Sequence, residues 1–247
     1  MKILYIYPHP DDESFGPAVA MSYQNRQGHE VFLLTLTRGG ATKQRHKYGY
    51  SIEKMGEVRY NEMLDVEKTL GLAGMKVLDF PDSGLKEIDP RDLEKAVIEE
   101  IHSVKPEVVV TYPVHGISGF HDHLVTHAVV KHAYLEVKEH TDFLKRLAFH
   151  TITEEQATQS KLFPLHGSTP QEIDCIYHSD DADVERANNA LDCYVTFQET
   201  IKNSGIREML SKEIYFEIFQ EDFKPPLNDL FEAFIPYSPN QTEKMLS

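Results

Sequence analysis

Over its first 150 residues the chain alternates short apolar runs with stretches of helical periodicity, and few architectures accept that alternation. Lys2–Tyr7, Glu30–Thr37, Val77–Phe80 and Val108–Tyr112 read as strands. Glu13–Gln27, Met55–Leu72 and His123–His140 read as helices, and Asp89-Pro90 opens another, with Asp89 as N-cap and Pro90 in the first helical position. Gly28 is placed to stop the first helix. The runs VFLLTL and VVVT are apolar on both faces, as strands covered on both sides should be. The expected fold is therefore α/β: a Rossmann-like, mainly parallel sheet with helices on both faces. After residue 150 the pattern weakens. Ile173–Tyr177 reads as a strand and Asp183–Ile201 as a helix, while Tyr215–Phe219 fits either. No repeat or linker divides the chain, so a single domain over 1–247 is expected, with a core at 1–150 and a C-terminal elaboration over 151–247.

Composition narrows the partners. The net charge is −15, with a pI near 5.3, so nucleic acid and anionic membrane surfaces are repelled. The two cysteines, Cys175 and Cys193, make no CxxC pair, which argues against a disulfide scaffold. The N-terminal apolar run of about five residues is too short for a secretory leader. No run approaches the ~18 apolar residues needed to span a bilayer. A reducing cytoplasm is the expected location, with no membrane or nucleic-acid partner.

Two loops carry the chemistry. Pro8-His9-Pro10-Asp11-Asp12-Glu13 follows the first strand. Capping and the helix dipole explain one or two of its acids. They do not explain a histidine between two prolines, and His9 with Asp12 makes half of a zinc site. On this loop alone both readings stand. The second loop follows the fourth strand and holds His115, His121, Asp122, His123 and His127. His127 lies one helical turn beyond His123, as a reserve ligand or a plain surface residue. In an open parallel sheet, ligands bind where the strand order reverses, which in the order 3-2-1-4-5 lies between strands one and four. Both loaded loops converge there, and a metal site is the better reading of the pair. No GxGxxG follows the first strand, which disfavours a dinucleotide.

The PHPDDE segment and the later Gly119-Phe120-His121-Asp122-His123-Leu124-Val125-Thr126-His127 segment resemble the motifs of the LmbE/PIG-L family of zinc-dependent N-acetylglucosaminyl de-N-acetylases. Met55–Glu62 is similar to that family's G-E-x-R-x-x-E helix, and the likeness covers roughly residues 1–140. The resemblance implies one Zn2+ per chain, held by His9, Asp12 and His123, with Asp11 as general base. It implies that Asp122, from behind the ligands, orients one of the ligand imidazoles by hydrogen-bonding it. Phe120 departs from the pattern, since the family has a histidine there to stabilise the oxyanion or protonate the leaving group. His121 is the obvious substitute and His115 another, with Asp11 itself able to act as both base and acid.

The resemblance also implies a substrate: a small N-acetylated amino sugar, an N-acetylglucosamine derivative, acted on by a homo-oligomer. Arg59 would reach that substrate from its helix, or else form a surface salt bridge with Glu62 or Asp65. Asp82, in the Pro81–Gly84 turn, could bind sugar hydroxyls or serve only the turn. Arg38, Lys43, Arg45, His46 and Lys47 make the 38–50 loop basic in an acidic chain. An anionic aglycone such as malate, as in the conjugate of bacillithiol synthesis, would use them. Hydrolysis of another amide or an ester, and metal binding with little deacetylase activity, are the alternatives.

Overall fold

The computed structural model describes residues 1–234. Of the expected C-terminal elaboration, residues 235–247 lie outside the described part. In chain order the elements are β1 (Lys2–Tyr7), α1 (Pro17–Arg26), β2 (Glu30–Thr37), α2 (Arg45–Tyr48), α3 (Ile52–Leu70), β3 (Gly74–Phe80), α4 (Pro90–Val104) and β4 (Val108–Thr111). There follow α5 (His121–His140), β5 (Arg146–Thr151), α6 (Glu154–Ala157), β6 (Cys175–His178), α7 (Asp181–Cys193), α8 (Gln198–Ser204), α9 (Ile206–Met209) and β7 (Glu213–Ile218).

The strands form one sheet in the order β3-β2-β1-β4-β5-β7-β6. The first five are parallel, β7 runs antiparallel to β5, and β6 antiparallel to β7. Alternation along each strand splits the core into two layers. Ile3, Tyr5, Tyr7, Val31 and Leu33 face the layer that also holds α1, α3 and α7 residues such as Met21, Met63 and Leu191. Leu4, Ile6, Leu34 and Leu36 face the layer of α4 and α5, with Val97, Ile101 and Val130. The fold is thus the expected α/β sandwich, and the order reverses between β1 and β4. Asp89 caps α4, its side chain accepting from Arg91 N, with Pro90 at the first position.

Three elements depart from the sequence expectation. The first helix starts at Pro17, not Glu13. Residues 10–16 make a turn in which Ser14 and Phe15 donate to the Asp11 carbonyl, and Asp11 takes φ 82°. Next, β5 stands where no strand was expected, since its run places Arg146 and His150 in the interior. Arg146 is satisfied by Glu221 and by the carbonyls of Leu230 and Glu232. Lastly, the helix expected over 183–201 breaks at Tyr194. There Glu62 accepts from both the backbone and the hydroxyl of Thr196, holding a tight turn before α8. The ambiguous segment around Tyr215 is strand β7. Cys175 and Cys193 are free thiols, and no helix of the described residues is long and apolar enough to cross a membrane.

Candidate metal centre

The loop after β1 and the start of α5 bring His9, Asp12 and His123 together. One donor atom from each lies within 4.8 Å of the others. His9 Nδ1 is 3.3 Å from Asp12 Oδ2, and His123 Nε2 is 3.5 Å from Asp12 Oδ1. The outward nitrogens are engaged elsewhere. His9 Nε2 meets Asp122 Oδ2 at 3.1 Å and Asp82 Oδ1 at 3.4 Å. His123 Nδ1 meets the Gly116 carbonyl at 2.9 Å, which can only accept, so Nδ1 carries the proton and Nε2 keeps its lone pair. Gly116 has φ 63°, and a Cβ there would sit 2.8 Å from His123 Cβ, so this close approach needs glycine.

The electrostatics suit a cation. Burial would push the His9 imidazole down, but Asp12, Asp122 and Asp82 outweigh it and raise it to about 10. Burial also opposes ionisation of Asp12, yet His123, His9 and the Tyr112 hydroxyl hold its carboxyl below the ordinary carboxylate range. Burial lowers His123, which favours the neutral, ligating form. Tyr112 donates to Asp12 Oδ1 at 2.8 Å and stacks on the His123 ring at 4.2 Å, so it braces two members of the cluster. Asp122 Oδ1 accepts from Leu85 N, which fixes its other oxygen toward His9.

Asp11 stands beside the cluster and makes no contact of ligating type with it. Arg59, 2% exposed, donates through Nη2 to both Asp11 Oδ2 and the Pro10 carbonyl, and lies 4.4 Å over the Phe197 ring. Tyr194 accepts from Asp11 N at 2.8 Å and donates to Glu13 Oε1 at 2.7 Å. Burial pushes the Asp11 carboxyl up, to about 6, against the pull of Arg59. Arg59 is not a surface salt bridge; it forms a buried ion pair with Asp11 through Nη2, and its Nε has no partner. Asp82 accepts from Ala41 N at 2.6 Å, tying the 38–44 loop to the cluster.

Other expected residues lie elsewhere. His121 is exposed in the first turn of α5 and borders no part of the cavity, whereas Phe120 does. Helix geometry turns His121 away when Asp122 and His123 point inward. His115 also stays outside the cavity lining, accepting from Ile117 N. His127 bonds the Tyr112 carbonyl at 2.8 Å and packs on Phe149, so the reserve ligand is a brace. None of Arg38, Lys43, Arg45, His46 and Lys47 borders the cavity; of that loop only Gly39 and Thr42 do. Arg38 faces Asp79 and Lys47 pairs with Glu199.

Tyr112, Tyr194 and His150 were not singled out from sequence. His150, on β5, is buried among apolar groups with no partner for Nδ1. It leaves so little room that a Cβ at Gly16 would meet its Cε1 at 2.8 Å. Burial pushes its imidazole down from 6.5 to about 3. The unfolded chain therefore accepts a proton that the folded chain refuses, and stability from this group is full above about pH 6.5. It declines as pH falls through that value toward 3, by about 1.4 kcal/mol per unit. The Tm of the native chain should drop more between about pH 7 and 5 than that of His150→Leu. Equal drops would mean that His150 is solvated and titrates normally.

Comparison with known proteins bears on the same residues. The PIG-L family, described as GlcNAc-PI de-N-acetylase, matches residues 4–134. Mycothiol S-conjugate amidase of Streptomyces coelicolor is 32% identical over 152 residues, 54% of this chain and 52% of that protein. A 1D-myo-inositol 2-acetamido-2-deoxy-alpha-D-glucopyranoside deacetylase of Thermomonospora curvata is 31% identical over 153 residues, 53% of this chain and 52% of that protein. The chain spans about half the length of these curated relatives. Among solved structures, the A40926 pseudoaglycone deacetylase is similar with a TM-score of 0.68 at 18% identity, over 88% of this chain and 97% of that one. At that identity the likeness speaks for the fold.

Proposed function

Since the chain belongs to the PIG-L family by its match over residues 4–134, we propose that it is a metal-dependent N-deacetylase acting on an N-acetylglucosamine derivative. The observation that carries this reading is the convergent donor set of His9, Asp12 and His123 beside a spare carboxylate, Asp11. The set fits a zinc ion, one per chain: two imidazoles and a carboxylate leave a position open, and each imidazole is oriented through its other nitrogen. When bound, the ion supplies Lewis acidity toward water and the acetamide carbonyl.

The protein's own groups do the rest. Arg59 and the Tyr194 hydroxyl hold Asp11 with one carboxylate oxygen engaged, so the other is free to take a proton from the attacking water. The leaving amine must depart protonated. His121 and His115 lie outside the cavity, so Asp11 returns the proton it took. Asp82 and Arg59 border the cavity near the cluster, where Asp82 would meet the sugar and Arg59 acts through Asp11.

The test is acetate release. Zinc-loaded protein should liberate acetate and free amine in equal amounts from N-acetylglucosamine glycosides, and chelation should abolish both. Cleavage of acetyl esters with the amides untouched would instead make it an esterase, the reading that the absence of a histidine at Phe120 favours.

A further inference from the structure

The cavity beside the metal cluster has a volume of about 300 Å³, the size of a small-molecule site. It does not end at the cluster. It continues under the segment after α6 and against α9 and β7, where Phe120, Leu162, Phe163, Ile206, Met209 and Leu210 line it. Phe120 and Phe163 pack at 5.1 Å between ring centroids, so the residue that departs from the family's histidine serves as wall of this arm.

The charges on the wall are as informative as its apolar surface. Among the described residues, the charged side chains lining the cavity beyond the three candidate metal ligands are Asp11, Asp82, Arg59 and Glu213. The single cationic side chain outside that cluster, Arg59, is buried against Asp11, and the basic 38–50 loop contributes none. An anion in the arm, away from the metal cluster, would meet no cationic side chain and would lose its hydration. One buried polar group on the cavity wall, His150, is neutral and its Nδ1 has no partner, as suits contact with a ligand hydroxyl or ether oxygen.

From the continuity of this arm with the metal cluster we infer that it binds the aglycone of the substrate, and that the aglycone is uncharged and predominantly apolar, an alkyl or aryl group. This rests on the deacetylase reading of the cluster and replaces the anionic aglycone expected from the basic loop.

The experiment compares methyl, butyl, hexyl and 5-carboxypentyl N-acetylglucosaminides on zinc-loaded protein. Turnover is followed by acetate release, and binding by calorimetry on Asp11→Asn, which reads the arm without hydrolysis. Affinity should rise about ten- to a thousandfold from methyl to hexyl, below or up to the limit for burying every added methylene. The terminal carboxylate should cancel most of that gain. In Leu162→Asp, a substitution at a half-exposed position, the hexyl-to-methyl ratio should fall toward unity. Acetate release with equal affinity for all chain lengths, or tightest binding of the carboxylate, overturns the apolar arm and leaves deacetylation standing. Tight hexyl binding without acetate release from any glycoside supports the arm and sinks the deacetylase reading.

Discussion

His123→Ala is expected to lose zinc and hydrolytic activity together, and His9→Ala to do the same. Each imidazole supplies one of three donors, and neither neighbouring histidine on α5 is placed to replace His123: His127 is bonded to the Tyr112 carbonyl and His121 faces away. Losing a ligand also leaves Asp12 short of a partner, because His9 and His123 are what keep its carboxyl ionised. Asp122→Ala offers the graded comparison. Asp122 touches His9 at 3.1 Å but sits behind it, so its loss should weaken zinc binding by about 10–100-fold and leave a measurable rate. Elemental analysis of the purified variants, alongside acetate release, reads both effects. Full zinc occupancy in His9→Ala and His123→Ala would remove these residues from the metal site.

Asp11→Asn is expected to keep the bound metal and lose kcat by about 10²–10⁴-fold, the usual worth of a general base. The substitution is conservative in shape and in backbone. Asn tolerates the left-handed φ of 82° as Asp does, and its Oδ1 can still accept from Arg59. What it lacks is a lone-pair oxygen basic enough to take a proton. A variant that loses metal with activity would make Asp11 a ligand. A variant that keeps both would move the base elsewhere, and the surrounding clamp of Arg59 and Tyr194 would be structural only.

Much of this molecule is legible along the chain, because the signals are local. The parallel core follows from apolar runs whose neighbours alternate between two covered faces, and Asp89-Pro90 starts its helix by a capping bond two residues away. The residues that gather at the reversal between β1 and β4 are named by their chemistry: an imidazole held between prolines, paired carboxyls, and a second histidine loop. The remaining features were decided by partners far off in sequence. Strand β5 hides two polar residues that only distant groups and burial make tolerable: Arg146 waits for Glu221, 75 residues on. The helix over 183–201 breaks where Tyr194 reaches Asp11, 183 residues back. Arg59 borders the cavity, and its ion-pair partner there, Asp11, lies 48 residues away in sequence. His121 and Phe120 differ by one position, and which of them meets the cavity is set by the direction in which α5 presents Asp122 and His123 to the cluster. Periodicity records which face of an element is apolar, but not which distant group will neutralise a buried charge or fill the space beside it; that is settled when the layers pack.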